Sequence, residues 1–257
     1  MDGTPLASRF SIATNRLSYC GPAEAEPALY RAILSGRGDP AARNALAGFE
    51  ALWPYLEALG NSAGLDPLDE KVVEAYWIGN ELLDSFPPGA FREILHALQR
   101  RGLPASVVRR LERHLPTTPL PCHVFHVAFV GVGAVTGHVP TTLANVEACR
   151  PSWATVTDRR ASTLRVTRPT LRTEGGHLAW GPERSEELSF DPKVIGEPGI
   201  GSPVLIHWGW PALVPTDRQL SALREYTQRA LDSANGVLPA LGVFPADVHA
   251  DLGRVRS

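Results

Sequence analysis

Two stretches decide the fold expected for this chain: CRPSWATV at residues 149–156 and VLIHWGW at residues 204–210. Between them lie short runs of apolar and β-branched residues separated by turn residues, a pattern that predicts β-strands. The tripeptide Glu174-Gly175-Gly176 predicts a tight hairpin within this segment. Short strands of this number and spacing are typical of a small antiparallel barrel of the OB type.

Helices are expected on both sides of the strand segment. Asp39-Pro40 pairs an N-cap residue with proline at the first helical position, and Thr216-Asp217 caps an amphipathic helix near the C-terminus. Residues 1–16 are polar and predict an irregular start. The expected helices span residues 23–34, 40–60, 70–86, 91–101, 105–114, 140–148 and 216–235. We therefore expect an α+β protein with a helical domain at residues 1–147 and an OB-like barrel with a C-terminal helix at residues 148–257.

Composition limits the functions that the chain can have. It has 257 residues, 44% of them hydrophobic and 20% charged, and its formal net charge is −2. A globular protein with this charge offers no basic surface for nucleic acid, so we expect no nucleic-acid partner. The first residues lack a secretory pattern and no stretch is long and apolar enough to cross a bilayer, so we expect a cytoplasmic protein without a membrane partner.

A thiol and an imidazole mark the ends of the strand segment. Cys149 opens it, and His207 lies in its most apolar strand. The two side chains would form a site for a soft metal ion if the fold brings them together. Trp153 and Trp208, in the same two stretches, are candidates for contacts with the bound group.

Two further histidines could bind metal in the helical half. His123 and His126 lie on one face if residues 122–133 are helical, and on opposite faces if that stretch is extended. A structural histidine pair explains the spacing nearly as well.

The remaining candidate ligands are a thiol and a carboxylate. Cys20 precedes Gly21-Pro22 and a predicted helix, whose N-terminus would favour the thiolate, although a purely structural corner is the simpler interpretation. Glu74 and Glu81 could share one face of the helix at residues 70–86, and a buried pair would need a metal, an arginine or a shared proton. A solvent-exposed helix face is the common alternative.

The segment from Cys149 to about Leu231 resembles the HypC family of [NiFe]-hydrogenase maturation chaperones. Residues 201–210, GSPVLIHWGW, are similar to that family's strand motif Gly-x-x-Val-Leu-x-His-x-Gly-Phe. In the opening motif Cys-x-x-x-Pro-x-x-Val, Cys149 and Val156 hold their places, while Trp153 stands where proline is expected. The resemblance implies a small β-barrel followed by a helix.

The resemblance also implies a cofactor and partners. In HypC proteins the cysteine and histidine hold the iron that carries carbonyl and cyanide ligands on its way to the hydrogenase, and these positions correspond to Cys149 and His207. The hydrogenase large subunit or other maturation proteins would be the partners. HypC uses its N-terminal cysteine, whereas Cys149 is internal, so a free α-amino group cannot contribute a ligand here.

Nearly the whole chain resembles an uncharacterised bacterial family whose members often lie beside hydrogenase genes. The shared stretches read Tyr-Cys-Gly-Pro at residues 19–22, Glu-Ala-Tyr-Trp-Ile-Gly-Asn at residues 74–80 and His-x-x-His at residues 123–126. We therefore expect an accessory protein that binds or relays iron during cofactor assembly. A metal-dependent enzyme that uses His123, His126 and helix carboxylates, and that could produce a diatomic ligand, is the alternative, and an interaction module without metal is a third possibility.

Overall fold

The computed structural model describes residues 1–244 as helices packed against one antiparallel sheet. A 3-10 turn covers Pro88–Ala90 and a π-helical turn covers His126–Gly131. No helix among these residues has the length and apolar character needed to cross a membrane. The α-helices are α1 (Thr4–Arg16), α2 (Glu26–Ser35), α3 (Pro40–Ala47), α4 (Trp53–Ala63), α5 (Glu70–Trp77), α6 (Phe91–Arg100), α7 (Ala105–Arg113), α8 (His123–Phe125), α9 (Leu143–Cys149), α10 (Pro192–Ile195), α11 (Asp217–Asn235) and α12 (Leu238–Leu241).

The sheet has five antiparallel strands in the order β3-β2-β1-β4-β5. Glu174 pairs with His177 across a loop of two glycines whose φ angles are 56° and 81°, which confirms the predicted hairpin. Within residues 1–244 no pairing joins β3 to β5, so the sheet is open where a closed barrel was expected. The strands are β1 (Ser152–Arg159), β2 (Thr163–Glu174), β3 (His177–Ser189), β4 (Pro203–His207) and β5 (Trp210–Leu213).

The sheet buries apolar side chains on both faces. One face joins the large core of the helical half, to which Leu205 of β4 and Leu231 of α11 both belong. The other face carries a smaller cluster that includes Val156, Val166 and Val204, with the half-buried Ile195 of α10 packed against it. The large core crosses the expected boundary at residues 147 and 148, and the division into two domains stays a prediction.

The N-terminal segment is a buried helix, so the prediction of an irregular start was wrong. Five of its polar residues are buried, namely Thr4, Ser8, Ser11, Thr14 and Asn15. The Ser8 hydroxyl donates to the Thr4 carbonyl at 2.8 Å, and Thr14 donates to the Ser11 carbonyl at 2.9 Å. Because these hydroxyls bond to the helix backbone itself, they can be buried at little cost, and the polar sequence conceals an interior helix.

Two predicted helices are shorter than expected. The helix expected at residues 40–60 is divided into α3 and α4, and α5 ends at Trp77 well before residue 86. Gly79 follows with φ of 104°, and a Cβ atom there would lie 2.4 Å from the ring of Tyr226. This close approach of α11 to the backbone requires glycine and ends the helix, which apolar periodicity alone does not reveal.

Candidate metal centre

Three buried side chains from separate elements converge between the helices and the sheet. His123 begins α8, Cys149 ends α9 and His207 ends β4, and one donor atom from each lies within 4.8 Å of the others. Cys149 Sγ lies 3.5 Å from His123 Nε2. In a tetrahedral site with ordinary metal–sulfur and metal–nitrogen distances, two such donors are about 3.6 Å apart. The sulfur and this nitrogen are therefore already spaced as two ligands of one ion.

Strand pairing brings Cys149 and His207 together. Strand β1 begins three residues after Cys149, and its first residue, Ser152, pairs with Ile206 of β4. The Trp208 backbone N–H donates to the Ala148 carbonyl at 2.6 Å and extends this connection past the end of the strand. The register thus sets the thiol beside the imidazole, which was the condition for a shared site.

The His207 ring has one nitrogen fixed and the other free. Nδ1 lies 2.7 Å from the Phe10 carbonyl oxygen, which can only accept, so Nδ1 carries the proton. Nε2 then carries a lone pair, and it is buried without a hydrogen-bond partner. A carbonyl that fixes the tautomer of a histidine is the usual support of a metal ligand.

His123 is held by a phenol and by the backbone of Cys149. Its Nδ1 lies 2.8 Å from the Tyr76 hydroxyl, and its Nε2 lies 3.1 Å from the Cys149 carbonyl oxygen. Because the Cys149 carbonyl can only accept, Nε2 carries the proton in the metal-free protein and Nδ1 accepts from the Tyr76 hydroxyl. For Nε2 to bind metal beside the thiol, its proton must leave, and a proton on Nδ1 would then be donated to the Tyr76 oxygen. This ring therefore has a donor atom facing the cluster and an outer partner that orients it.

Burial sets the protonation states of the cluster. It lowers the pKa of His207 to about 4 and the pKa of His123 well below its ordinary value, to which the neighbouring His207 also contributes. Burial raises the pKa of the Cys149 thiol, and the indole N–H of Trp208, which faces the sulfur without reaching hydrogen-bond geometry, partly offsets this rise. At neutral pH the imidazoles are ready to bind a metal, and the thiol must release its proton to do so.

A cavity of about 60 Å³ adjoins the three donors. It holds only a few water-sized groups, and aromatic and aliphatic side chains form most of its wall. Four of the eight buried polar side-chain atoms that lack a partner in residues 1–244 belong to residues that line it. These four atoms are Ser11 Oγ, Trp77 Nε1, His207 Nε2 and Trp208 Nε1. Unpaired polar atoms are costly when buried, so their concentration here indicates a ligand-binding cavity.

The other candidate ligands of the helical half lie outside the cluster. His126 lines the cavity, but its Nδ1 lies 3.0 Å from the Tyr55 hydroxyl, and it is not one of the three converging residues. Glu74 is buried and bonds to Arg218 Nη2 at 2.7 and 2.9 Å, so an arginine neutralises it. Glu81 is exposed. The structure therefore does not bring the helix carboxylates to the histidines.

The remaining candidates lie in different places. Trp208 lines the cavity and packs against Tyr19, with 4.8 Å between ring centroids. Trp153 packs against Trp180 at 5.5 Å and is not part of the cavity wall. Cys20 lines the cavity from the loop between α1 and α2, and its thiol donates to Glu50 Oε2 at 3.3 Å.

Sequence reasoning missed the residues that orient the ligands. Phe10 contributes a backbone carbonyl from α1, and Tyr76 contributes a hydroxyl that the apolar periodicity of α5 marks only as core. A proline near the start of α1 and apolar residues at helical spacing, Leu6, Phe10 and Ala13, were the available signal for this helix. No sequence signal identifies a single backbone carbonyl as an acceptor.

A protein-family model matches this chain. No curated protein and no solved structure matches this chain. Residues 1–240 match DUF6390, described as a family of unknown function. Because this match covers most of the chain, from α1 into α12, and includes all three metal-ligand candidates, the chain belongs to the DUF6390 family.

Proposed function

We propose that this protein is an accessory protein of [NiFe]-hydrogenase maturation that holds iron between Cys149, His207 and His123. One observation carries the proposal: three buried donors lie within 4.8 Å of one another, and the lone pair of His207 Nε2 has no hydrogen-bond partner among residues 1–244. A thiolate and two imidazoles suit iron as well as zinc or copper. The choice of iron and of the hydrogenase pathway rests on the resemblance to HypC.

The geometry supports the resemblance at the two positions that matter most. The two HypC-like motifs provide Cys149 and His207, and the pairing of β1 with β4 places them together. The internal position of Cys149 removes the α-amino group that an N-terminal cysteine would offer. His123 Nε2, at 3.5 Å from the sulfur, supplies a nitrogen donor in its place. The OB-like barrel, the cytoplasmic location and docking to hydrogenase proteins belong to the same proposal.

The cavity supports a metal that carries small ligands. Ser11, Trp77 and Trp208 each have a hydrogen-bond donor without a partner, and all three line the cavity. Such donors match small acceptor groups, such as the nitrogen of a bound cyanide or the oxygen of a bound carbonyl. With about 60 Å³ available, diatomic ligands fit better than an organic molecule.

Iron analysis of protein from a hydrogenase-expressing host tests the proposal. The wild-type protein is expected to purify with close to one iron per chain and with infrared bands of metal-bound carbonyl and cyanide. Cys149→Ala is expected to lose most of the iron and both sets of bands, because the thiolate is the only anionic donor of the three. Cys122→Ala is the matched control: its thiol is buried outside the cavity wall, and its iron content should remain at the wild-type level.

Two outcomes would contradict the proposal. An unchanged iron content in Cys149→Ala would show that Cys149 does not bind the iron. A different metal in the wild-type protein would contradict the role in hydrogenase maturation. Loss of metal in His126→Asn with full metal in Cys149→Ala would favour the metal-dependent enzyme instead.

A further inference from the structure

The three donors leave the charge of the site unbalanced. A divalent ion with one thiolate and two neutral imidazoles retains one positive charge, and the three side chains are 0 to 8% exposed. An uncompensated charge in such a place is unfavourable unless another anion is added. Three donors also leave one position of a tetrahedral ion open.

A second thiol lines the same cavity. Cys20 is half-buried on the wall shared with Cys149, His123 and His207, whereas Cys122 is not part of that wall. Cys20 Sγ is not among the donor atoms that lie within 4.8 Å of one another, so its side chain must turn towards the cluster to supply the missing anionic donor.

The loop that carries Cys20 is held in place around the sulfur. The Gly21 N–H donates to Glu50 Oε2 at 2.9 Å, and the Thr136 hydroxyl donates to the Tyr19 carbonyl at 3.1 Å. Gly21 has φ of 85°, and a Cβ atom there would lie 2.5 Å from the Phe49 ring, so only glycine allows this turn. The thiol donates to the Glu50 carboxylate, and rotation of the cysteine side chain would release this hydrogen bond.

We propose that Cys20 is the fourth ligand of the metal centre and occupies the open position whenever no external anion does. The step is a ligand exchange: the thiol gives its proton to Glu50 Oε2, which passes it to solvent, and the sulfur forms a bond with the metal. The site then holds a divalent ion with two thiolates and two imidazoles and has no net charge. Because Cys20 lies on a half-exposed loop, it is also the ligand that an incoming anion or a partner protein displaces first. This inference rests on the proposed metal centre and adds that Cys20 controls access of external anions to the metal.

Cobalt(II) added to the reduced full-length protein counts the thiolates. The intensity of the near-ultraviolet sulfur-to-cobalt charge-transfer band grows with the number of thiolates bound. We expect the band of Cys20→Ala to be about half as intense per bound cobalt as the wild-type band, and the band of Cys122→Ala to be unchanged. Cys20→Ala should also lose cobalt to EDTA roughly tenfold faster, since even an outer-shell partner contributes 10- to 100-fold to affinity.

The two proposals fail in different ways. A full-intensity band and an unchanged EDTA rate in Cys20→Ala, with the band lost in Cys149→Ala, would overturn the role of Cys20 and leave the three-residue centre standing. A wild-type protein that binds no cobalt would overturn both. Thermal unfolding of each variant shows whether the fold is retained, and Cys20→Ser is a second variant if alanine perturbs the loop.

Discussion

Cys149 and Arg150 are neighbours in the chain, yet each belongs to a different kind of buried polar cluster. The Arg150 side chain is 1% exposed and donates through Nε to Glu147 at 2.8 Å. Arg168 joins the same carboxylate at 3.1 Å and bonds to Glu186 at 2.5 Å. The cluster of Arg150, Glu147, Arg168 and Glu186, which we call the ionic cluster, balances two positive charges with two negative ones.

The metal cluster of His123, Cys149 and His207 differs because the chain does not complete it. The ionic cluster has one unpaired atom, Arg150 Nη1, on a guanidinium that lies over the Trp180 ring at 5.4 Å. In the metal cluster the atom without a partner among residues 1–244 is Nε2 of His207, whose ring is held at Nδ1 by the Phe10 carbonyl. Burial alone does not separate a structural cluster from a binding site. The difference lies in whether the chain itself satisfies every charge and every lone pair.

Glu147→Gln should break the ionic cluster and produce the largest change in stability. The substitution leaves Arg150 and Arg168 buried with one carboxylate between them, which typically lowers the free energy of unfolding by 3–5 kcal/mol. Urea unfolding of the metal-free protein measures this change. A loss below about 1 kcal/mol would show that the two arginines find other partners.

Tyr76→Phe should weaken the metal cluster and leave the ionic cluster intact. Without the hydroxyl, His123 loses the partner that orients it, and metal affinity should fall 10- to 100-fold in a competition titration with a chelator. Tyr55→Phe is the matched control because it removes a hydroxyl from His126, which lies outside the metal cluster. Equal losses in the two variants would indicate a general effect on the aromatic core.

Stability of the metal-free protein should fall as the pH drops from 6.5 towards 4. Burial lowers the pKa of His126 and of His207 to about 4, so the unfolded chain takes up protons in this window and the folded chain does not. Each histidine should remove roughly 1 kcal/mol of unfolding free energy per pH unit. Thermal or urea unfolding at pH 7.5, 6.5 and 5.5 tests the slope.

A histidine substitution isolates the source of this pH dependence. His126→Asn should reduce the slope by about a third, because burial also lowers the pKa of His123 and His207. A slope that is unchanged in the variant would assign the effect to other groups.

Glu187→Gln should change the free energy of unfolding least. It shows how much the loss of an exposed ion pair costs beside the loss of a buried one. Glu187 faces Arg165 across β2 and β3 at 3.9 Å, and both side chains are about half exposed. Exposed pairs of this kind contribute 0–1 kcal/mol, so the change should stay within about 0.5 kcal/mol in the same urea experiment. A larger loss would mean that the sheet surface is more sensitive to charge than its exposure indicates.

Local sequence signals predicted the parts of the fold that local interactions decide. Thr216 caps α11 in a reciprocal arrangement with Gln219, and the glycine pair at residues 175 and 176 forms the hairpin turn, as expected. Tertiary contacts decided the rest. The ring of Tyr226 packs against Gly79 just after the end of α5. The polar helix α1 can be buried because hydroxyls such as that of Ser8 donate to its own backbone. Neither effect leaves a periodic pattern in the sequence.

The site was predictable only in part for the same reason. Two motif positions, Cys149 and His207, indicated a shared metal ligand set, and strand register brings them together. Glu74 was a further candidate ligand in the sequence, but an arginine 144 residues away neutralises it. The partners that distinguish a ligand from a structural residue come from distant segments, and a single sequence does not reveal such pairings.

The bond between the Phe10 carbonyl and His207 Nδ1 joins positions 197 residues apart. A fragment of the chain keeps the orientation of the His207 ring only if it includes α1. A fragment made only of residues 149–231 would keep Cys149 and His207 but leave the imidazole free to rotate and to exchange tautomers. The first helix is thus as much a part of the ligand set as the strand that carries the ring, and excising the segment would yield a weaker and less selective ion binder.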